Sequence, residues 1–507
     1  MSPTNRPGFA PYPRKSPWSS VGARGKRRNA SERPDLPEGI AGAVRAPFPE
    51  TEGTCMPAHF AGRSIKLLAL LLIGLLSACG TSSSGATAFP VTMKTPSAPE
   101  VSASATALPS STLFLPLVTR GILPPPDEAS RRIRVPPGFA IRIFAEGLNG
   151  KARIMAFGWD GALYLTLMNA GQIVRLPDRN GDGRADRVEV VAEGLALPHG
   201  IEWLGEWLYV AEGDRIERLR DGDGDGRLEI RELVTDNIPP ARGHVSRTLH
   251  FGPDGKLYVS AGSSCNICEE DDPRRAAILR FNPDGTIPAD NPLAADPDPR
   301  RRPLRAWGLR NSVDFMWTPG GQLWADHNGS DGLGDDLPPE EVIIAVLPGR
   351  HHGWPYCYTP GLGPNLPPAS RIEVQDPRMP LPPGFTCEQA VPALFTDLAH
   401  SAPLGMEPGS SSAFPLEYRD DLFIAYHGSW NTTLVSARDC KVQRIVVENG
   451  QPIRSEEFAN GWRAPGKMCG DPATWGRPVD VLFGPDGAMY ISDDHGGRVY
   501  RVVYTGP

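Results

Sequence analysis

The sequence predicts an all-β fold, a six-bladed β-propeller preceded by a disordered N-terminal tether. Three observations predict it. A turn-and-strand unit recurs through the second two-thirds of the chain. Gly and Pro number 55 each in 507 residues, so the chain reverses often. No long helical periodicity competes with the strand pattern.

The unit leads with an aromatic residue, passes through a Pro/Asp/Gly turn and enters an apolar and aromatic strand. It reads Phe157-Gly-Trp-Asp-Gly-Ala-Leu-Tyr-Leu, then Phe251-Gly-Pro-Asp-Gly-Lys-Leu-Tyr-Val, Trp317-Thr-Pro-Gly-Gly-Gln-Leu-Trp and Phe483-Gly-Pro-Asp-Gly-Ala-Met-Tyr-Ile. Trp203-Leu-Gly-Glu-Trp-Leu-Tyr-Val and Leu422-Phe-Ile-Ala-Tyr are degenerate copies. Asp-Gly pairs supply the positive φ of tight hairpins, and the alternation that follows suits half-buried strands. Six copies of a few strands each fit a propeller. A β-sandwich or a right-handed β-helix is the rival. The uneven spacing and the hairpin turns speak against the helix, and they place insertions between blades, where loops build sites.

The propeller is expected over 131–507. Residues 79–130, rich in Ser, Thr, Ala and Pro, read as a flexible linker. Residues 56–78 read as a lipoprotein signal peptide: Arg63 and Lys66, an apolar run from Leu67 to Leu76, then Leu76-Ser77-Ala78-Cys79. That run is too short to span the roughly 30 Å of a bilayer core. The expectation is export, cleavage before Cys79 and membrane anchoring through lipid on Cys79, with the folded part extracytoplasmic. Met56 is the expected start, and 1–55 a disordered or non-native extension.

The net charge of −7, with no basic tract inside the folded part, argues against nucleic acid as a partner. After Cys79 six cysteines remain, an even count that suits disulfides in an oxidising compartment. Their spacing favours Cys265–Cys268, Cys357–Cys387 and Cys440–Cys469.

Two acidic loops follow the spacing of calcium-binding loops. One holds Asp178, Asn180, Asp182, Asp186 and Glu189; the other holds Asp221, Asp223, Asp225, Glu229 and Glu232. Oxygen ligands at positions 1, 3, 5 and 12, with Gly at 6, wrap one Ca2+. Strand-like flanks predict calcium-clipped hairpin turns with a structural role.

Signatures of Rossmann, serine-hydrolase and zincin chemistry are absent. Polar residues gather beside strand ends instead: His199, His244, Arg310-Asn311, His327-Asn328-Gly329, His427-Gly-Ser-Trp430 and Trp475-Gly-Arg477. With Ala276-Ala-Ile-Leu-Arg-Phe-Asn-Pro-Asp-Gly, Asp331-Gly-Leu-Gly-Asp-Asp, His352-Gly-Trp-Pro and Ser492-Asp-Asp, in this order, the chain resembles the pyrroloquinoline quinone (PQQ)-dependent soluble sugar dehydrogenases, most closely their sorbosone dehydrogenase branch.

The resemblance runs from about residue 131 to the C-terminus. It implies PQQ and Ca2+ as cofactors, a small-molecule sugar or sugar-derived aldehyde as substrate, and an external electron acceptor, a cytochrome or a quinone. It implies His244 as general base, whose imidazole accepts a proton at neutral pH, and Arg310 as the catalytic cation facing the quinone oxygens. It implies Asn311, Asn328, Gly329, His427, Trp430 and Arg477 around the cofactor, and Asp335, Asp336 and Glu340 around a second ion. Gly243 stands where an acid precedes the base in glucose-oxidising members, and 427–430 lacks their Lys. The competing readings are a calcium-dependent lactonase and a non-catalytic surface propeller binding carbohydrate or protein.

Overall fold

The computed structural model describes residues 123–364, 372–433 and 438–507. The 1–55 extension, the signal segment with Cys79 and most of the linker lie outside the described residues.

Six antiparallel sheets follow one another around a ring. Blade 1 runs Ala152–Phe157, Leu163–Leu167, Gln172–Leu176 and Glu189–Glu193. Blade 2 runs Ile201–Leu204, Trp207–Ala211, Ile216–Arg220 and Ile230–Thr235; blade 3 runs Leu249–Phe251, Leu257–Ala261, Ala277–Phe281 and Leu304–Trp307. Blade 4 uses Phe315–Trp317, Leu323–His327, Glu340–Ala345 and Phe395–Asp397, extended by Gly363–Pro364. Blade 5 runs Pro403–Pro408, Leu422–Tyr426, Lys441–Glu448 and Gln451–Asn460. Blade 6 joins both ends of the folded chain: Phe139–Glu146 pairs antiparallel with Arg498–Tyr504, which continues through Met489–Asp493 to Pro478–Phe483. That pairing closes the ring and leaves no open sheet edge at the seam.

The recurring sequence unit is the hairpin between the first two strands of each blade. In blades 1, 3 and 6 the turn Asp caps the chain two residues on and meets a Tyr and an Arg from the next two strands. The three sets are Asp160, Tyr164 and Arg175; Asp254, Tyr258 and Arg280; and Asp486, Tyr490 and Arg501. The Gly after each Asp has φ near +70° (Gly161 73°, Gly255 69°, Gly487 72°), which only glycine adopts freely.

The expected half-burial does not hold for the second strands. Leu163–Leu167, Leu257–Ala261, Leu323–His327, Leu422–Tyr426 and Met489–Asp493 are buried at every residue. Each blade is sandwiched between two others, so both faces pack. Six apolar clusters fill the six blade-to-blade interfaces; Ile154, Tyr164, Val191, Ile201, Leu208 and Leu219, for example, join blades 1 and 2. The buried polar side chains in these strands turn to neighbouring backbone. Thr166 Oγ1 donates to the His199 carbonyl at 2.8 Å and Ser492 Oγ to the Arg153 carbonyl at 2.7 Å.

Carboxylates also pin adjacent blades near the hub. Asp480 accepts from Met155 N–H, Glu202 from Phe251 N–H and Asp314 from Met406 N–H. His250 bridges Glu202 and Asp314 at 2.9 Å each, and although burial opposes charge, those carboxylates hold its pKa well above the ordinary value.

The one α-helix among the described residues, Glu128–Arg132, is a single turn capped by Asp127, whose other oxygen accepts from Ile143 N–H at 2.7 Å. All three expected disulfides are present: Cys265–Cys268, Cys357–Cys387 and Cys440–Cys469.

Candidate functional site

Antiparallel order sends every first strand in the same direction. The segments entering first strands and the connections after second strands therefore share one face. The hairpin turns and the acidic loops share the opposite face.

On the first face, at the hub, lies a cavity of about 340 Å³ lined by Lys151, Arg153, His244, Arg310, Asn311, Asn328, Gly329, Asp331, Glu340, His400, His427, Trp430, Arg477 and Asp494, among others. Every residue expected at the base or the cofactor is in that wall. Val313 and Leu404 also line the cavity and pack with Val479 in a small apolar cluster.

His244 enters just before blade 3. Its Nδ1 lies 3.1 Å from the Ser263 carbonyl and 2.8 Å from Ser263 Oγ. A carbonyl only accepts, and Ser263 Oγ directs its own proton to the Cys265 carbonyl at 2.8 Å. Nδ1 therefore carries the hydrogen, and Nε2 keeps its lone pair. Burial, reinforced by the Arg310 charge, lowers the His244 pKa to about 4. The imidazole is thus neutral, with Nε2 unprotonated, across the physiological range.

Arg310 is buried, with all three guanidinium nitrogens engaged. Nε donates to the Asn266 carbonyl (2.9 Å), Nη2 to Asn266 Oδ1 (2.8 Å) and Nη1 to the Asn328 carbonyl (3.3 Å); Asp331 lies 3.4 Å away. Asn311 Nδ2 reaches Asn328 Oδ1 at 3.3 Å, and Asn328 Nδ2 donates to the Pro403 carbonyl at 2.6 Å. Gly262 lets these groups meet, since a Cβ there would lie 2.6 Å from His244 Cβ and 2.7 Å from Asn311 Oδ1.

Arg477 donates through Nε to the His427 carbonyl and through Nη2 to the Gly428 carbonyl, both at 2.9 Å. Its Nη1 has no partner among the described residues, and burial lowers its pKa to about 10. Gly428 (φ +75°) sits against the Cys440–Cys469 bridge, where a Cβ would approach Cys469 Sγ to 2.5 Å. Trp430 stands on the rim, 65% exposed.

Several further wall residues had no role expected of them. Asp494 receives His427 Nε2–H at 2.8 Å and Arg153 Nη1 at 3.0 Å, with Lys151 Nζ at 3.7 Å. Burial pushes its carboxyl up, but His427 and Arg153 hold it far below the carboxylate range. His427 is neutral, its pKa lowered by burial to about 4. Lys151 and Arg153 supply cations on a wall that takes none from 427–430. His199 sits beneath them, fully buried, 3.2 Å from Arg153 Nη2. Asp331 takes His400 Nδ1 at 3.2 Å and Asn431 Nδ2 at 2.7 Å; burial raises its pKa, yet these partners and Arg310 bring it down to about 2. Ser492-Asp-Asp and Asp331-Gly-Leu-Gly were visible as motifs, but Lys151 and Arg153 had no signal before the ring closed.

The expected cluster of Asp335, Asp336 and Glu340 does not assemble. Glu340 turns inward, accepting from Gly329 N–H (2.7 Å) and Ala402 N–H (3.0 Å). Asp335 bonds Thr433 and Asp336 pairs with Arg438 at 2.8 Å on the exposed loop. The acidic turns also depart from their spacing. Glu189 is committed to Arg175 (2.6 Å) and Arg187, and Glu232 to Arg218 (2.5 Å), so neither closes its loop. Asp221, Asp223, Asp225 and Glu229 nevertheless bring their oxygens within 4.8 Å of one another. Asp178, Asn180 and Asp182 instead bond the backbone and side chains of their own turn, and Asp186 accepts from Arg179 N–H.

The sequence profile of the TrAA12-like family matches residues 133–505. The chain belongs to the TrAA12-like family. An uncharacterized protein of Borreliella burgdorferi is 26% identical to this TrAA12-like chain over 390 residues, covering 75% of the chain and 92% of its own length. The calcium structure of a Trichoderma reesei enzyme of carbohydrate-active enzyme family AA12 aligns with TM-score 0.59 at 20% identity, over 74% of this chain and 97% of its own. The holo form of the pyranose dehydrogenase PQQ domain from Coprinopsis cinerea aligns with TM-score 0.56 at 20% identity, over 75% of this chain and 98% of its own. At that identity these likenesses speak for the propeller itself.

Proposed function

We propose that this TrAA12-like chain is a PQQ- and calcium-dependent oxidoreductase acting on a sugar or sugar-derived aldehyde, sorbosone- or glucose-like. The observation that carries the reading is a single cavity in which a neutral imidazole with a free Nε2 faces four cationic side chains. Lys151, Arg153, Arg310 and Arg477 stand against three carboxyl groups, Asp331, Asp494 and Glu340, and burial raises the pKa of Glu340. The excess is positive, Arg477 Nη1 is unengaged, and Arg153 Nε is buried without a partner. Such a donor set suits a flat organic tri-acid such as PQQ.

Arg477, Arg153 and Lys151 would hold the carboxylates, with Asn311, Asn328 and Gly329 at the edge and His427 and Trp430 at the rim. Bound PQQ would supply a two-electron acceptor for the substrate's hydride. His244 Nε2 takes the proton of the substrate hydroxyl while Nδ1–H stays on Ser263, which fixes the ring's tautomer. Arg310, held by Asn266, Asn328 and Asp331, presents a positive charge that needs no reorientation as negative charge grows. An acceptor outside this chain, a cytochrome or a quinone, would take the electrons onward.

Calcium fits the Asp221–Glu229 turn, whose four carboxylates already converge, as a structural clip. Among the described residues the Asp178 turn forms no such convergent group of carboxylates. We also propose export with a lipid anchor on Cys79. The three disulfides support an oxidising compartment, and among the described residues no helix is long and apolar enough to cross a membrane.

The test is titration of purified apoprotein with PQQ and Ca2+, followed by dye reduction across a panel of sugars and sugar aldehydes. Saturable change in the quinone spectrum and sugar-dependent turnover are expected. A protein that leaves the quinone spectrum unchanged ends the reading.

A further inference from the structure

Both reactive groups of the cavity hang from one short covalent loop, the Cys265–Cys268 disulfide with the residues entering it. On one side, Ser263 takes His244 Nδ1–H on its hydroxyl and carbonyl oxygens and passes its own hydroxyl proton to the Cys265 carbonyl. On the other, Asn266 lies inside the bridge and offers two acceptors to Arg310, its carbonyl to Nε and its Oδ1 to Nη2. Asn266 is itself fixed: Oδ1 also accepts from Asp331 N–H at 2.8 Å, and Nδ2 donates to the Asp331 carbonyl at 2.8 Å. The Ser263 N–H donates to the Arg310 carbonyl at 2.7 Å, which ties the two sides together.

Gly243 explains why the loop can sit there. At φ +65°, a Cβ on it would fall 2.5 Å from the Ser264 carbonyl carbon and oxygen and 2.7 Å from the Ser263 oxygen. No acidic side chain fits before His244 while the loop packs against it. An oxygen acceptor for the imidazole N–H comes instead from Ser263.

We propose that the Cys265–Cys268 loop is a positioning clamp, in which Ser263 sets the tautomer and direction of His244, Asn266 sets the fork of Arg310, and the disulfide holds both in register. The inference rests on the dehydrogenase reading for its consequence in turnover, but the geometry it predicts exists in the apoprotein. An imidazole left to itself rotates and exchanges its proton between nitrogens. A guanidinium without fixed acceptors samples several forks. Misplacement by about 1 Å can lower a rate about a hundredfold.

The experiment compares the wild-type apoprotein with a Cys265→Ser/Cys268→Ser variant, and with Ser263→Ala and Asn266→Ala. Histidine 15N spectra, with the His244 signals identified by their loss in His244→Gln, give tautomer and titration without cofactor. The wild type is expected to hold its proton on Nδ1 and to titrate near the buried value of about 4. In the double-serine variant the Nε2–H form should appear and the midpoint should move toward the unperturbed value of about 6.5. Ser263→Ala should lower kcat about tenfold with little change in KM. Asn266→Ala should weaken PQQ binding about tenfold, and Asn266→Asp, which keeps the acceptor to Arg310 but loses the donor to the Asp331 carbonyl, should recover only part of that loss. The bridge spans a sequence separation of 3, so its removal relaxes a very short loop and leaves the ring intact. His244 spectra and PQQ affinity unchanged in the double-serine variant would overturn the clamp. A wild type that ignores PQQ sinks the dehydrogenase reading alone, because the spectra still report on the loop.

Discussion

The two faces of the propeller hold polar clusters of opposite character. On one face, two acidic turns carry a recognisable local motif, yet their twelfth positions, Glu189 and Glu232, bind arginines of their own blades. On the other, Lys151, Arg153, His427, Arg477 and Asp494 come from separate stretches of the chain, the first two with no motif, yet they form one connected network. Arg153 and Asp494 meet across a sequence separation of 341. Spacing in a short loop constrains the backbone but not the direction of each side chain. Convergence at a hub comes from ring closure, which brings one segment from each of several blades to a common axis.

Substitutions sharpen this contrast. The largest effect is expected at the hub: His244→Ala should reduce turnover about 10²–10⁴-fold, the usual contribution of a positioned base, while PQQ titration of the apoprotein stays within a few-fold of wild type. Equal turnover in the variant would remove His244 from the chemistry. Arg477→Met, which deletes a cation whose Nη1 is unengaged, should weaken PQQ binding by roughly two orders of magnitude with the fold retained, as measured by cofactor titration and thermal melting.

The pH profile comes next. His244 must be neutral to accept a proton, and its pKa is lowered to about 4 by burial and Arg310. Its basic form is therefore complete above that value, and the acid limb of kcat/KM should fall near pH 4. A limb near 6.5 would mean that the imidazole is solvated in the free enzyme.

The smallest effects belong to the opposite face. Calcium should raise Tm by roughly 5 °C through the Asp221 turn, because a ligand bound only to the folded state stabilises it. Asp223→Asn should halve that rise or more, whereas Glu189→Gln should leave the calcium response intact and lower Tm by only about 1–3 °C through its lost arginine pairs. If Glu189→Gln erased the calcium response instead, the Asp178 turn would be the working ion site.

Much of this molecule was legible before folding was considered. Asp-Gly turns mark three of the six hairpins, those of blades 1, 3 and 6, because positive φ is a local demand met by glycine. Close spacing favoured the three cysteine pairs, but six cysteines allow fifteen pairings, and the structure decided among them. His244, Arg310, Asn311, Asn328 and Arg477 were legible through family resemblance in their flanking motifs. Strand burial was misread, since alternation within one strand says nothing of a second sheet packed on its outer face. Asp335, Asp336 and Glu340 lie apart in partners, because neighbours in sequence diverge when one begins a buried strand and the others stay on a loop.

By itself the sequence determined the hairpins, their number and the kinds of side chain available for proton transfer and anion binding, all of which follow from local backbone preference and residue chemistry. The tertiary structure alone decided which cations meet, which nitrogen of His244 bears the proton, and which carboxylates remain free to hold an ion. Those are properties of distances between remote segments and of buried surroundings, and neither exists until the ring is closed.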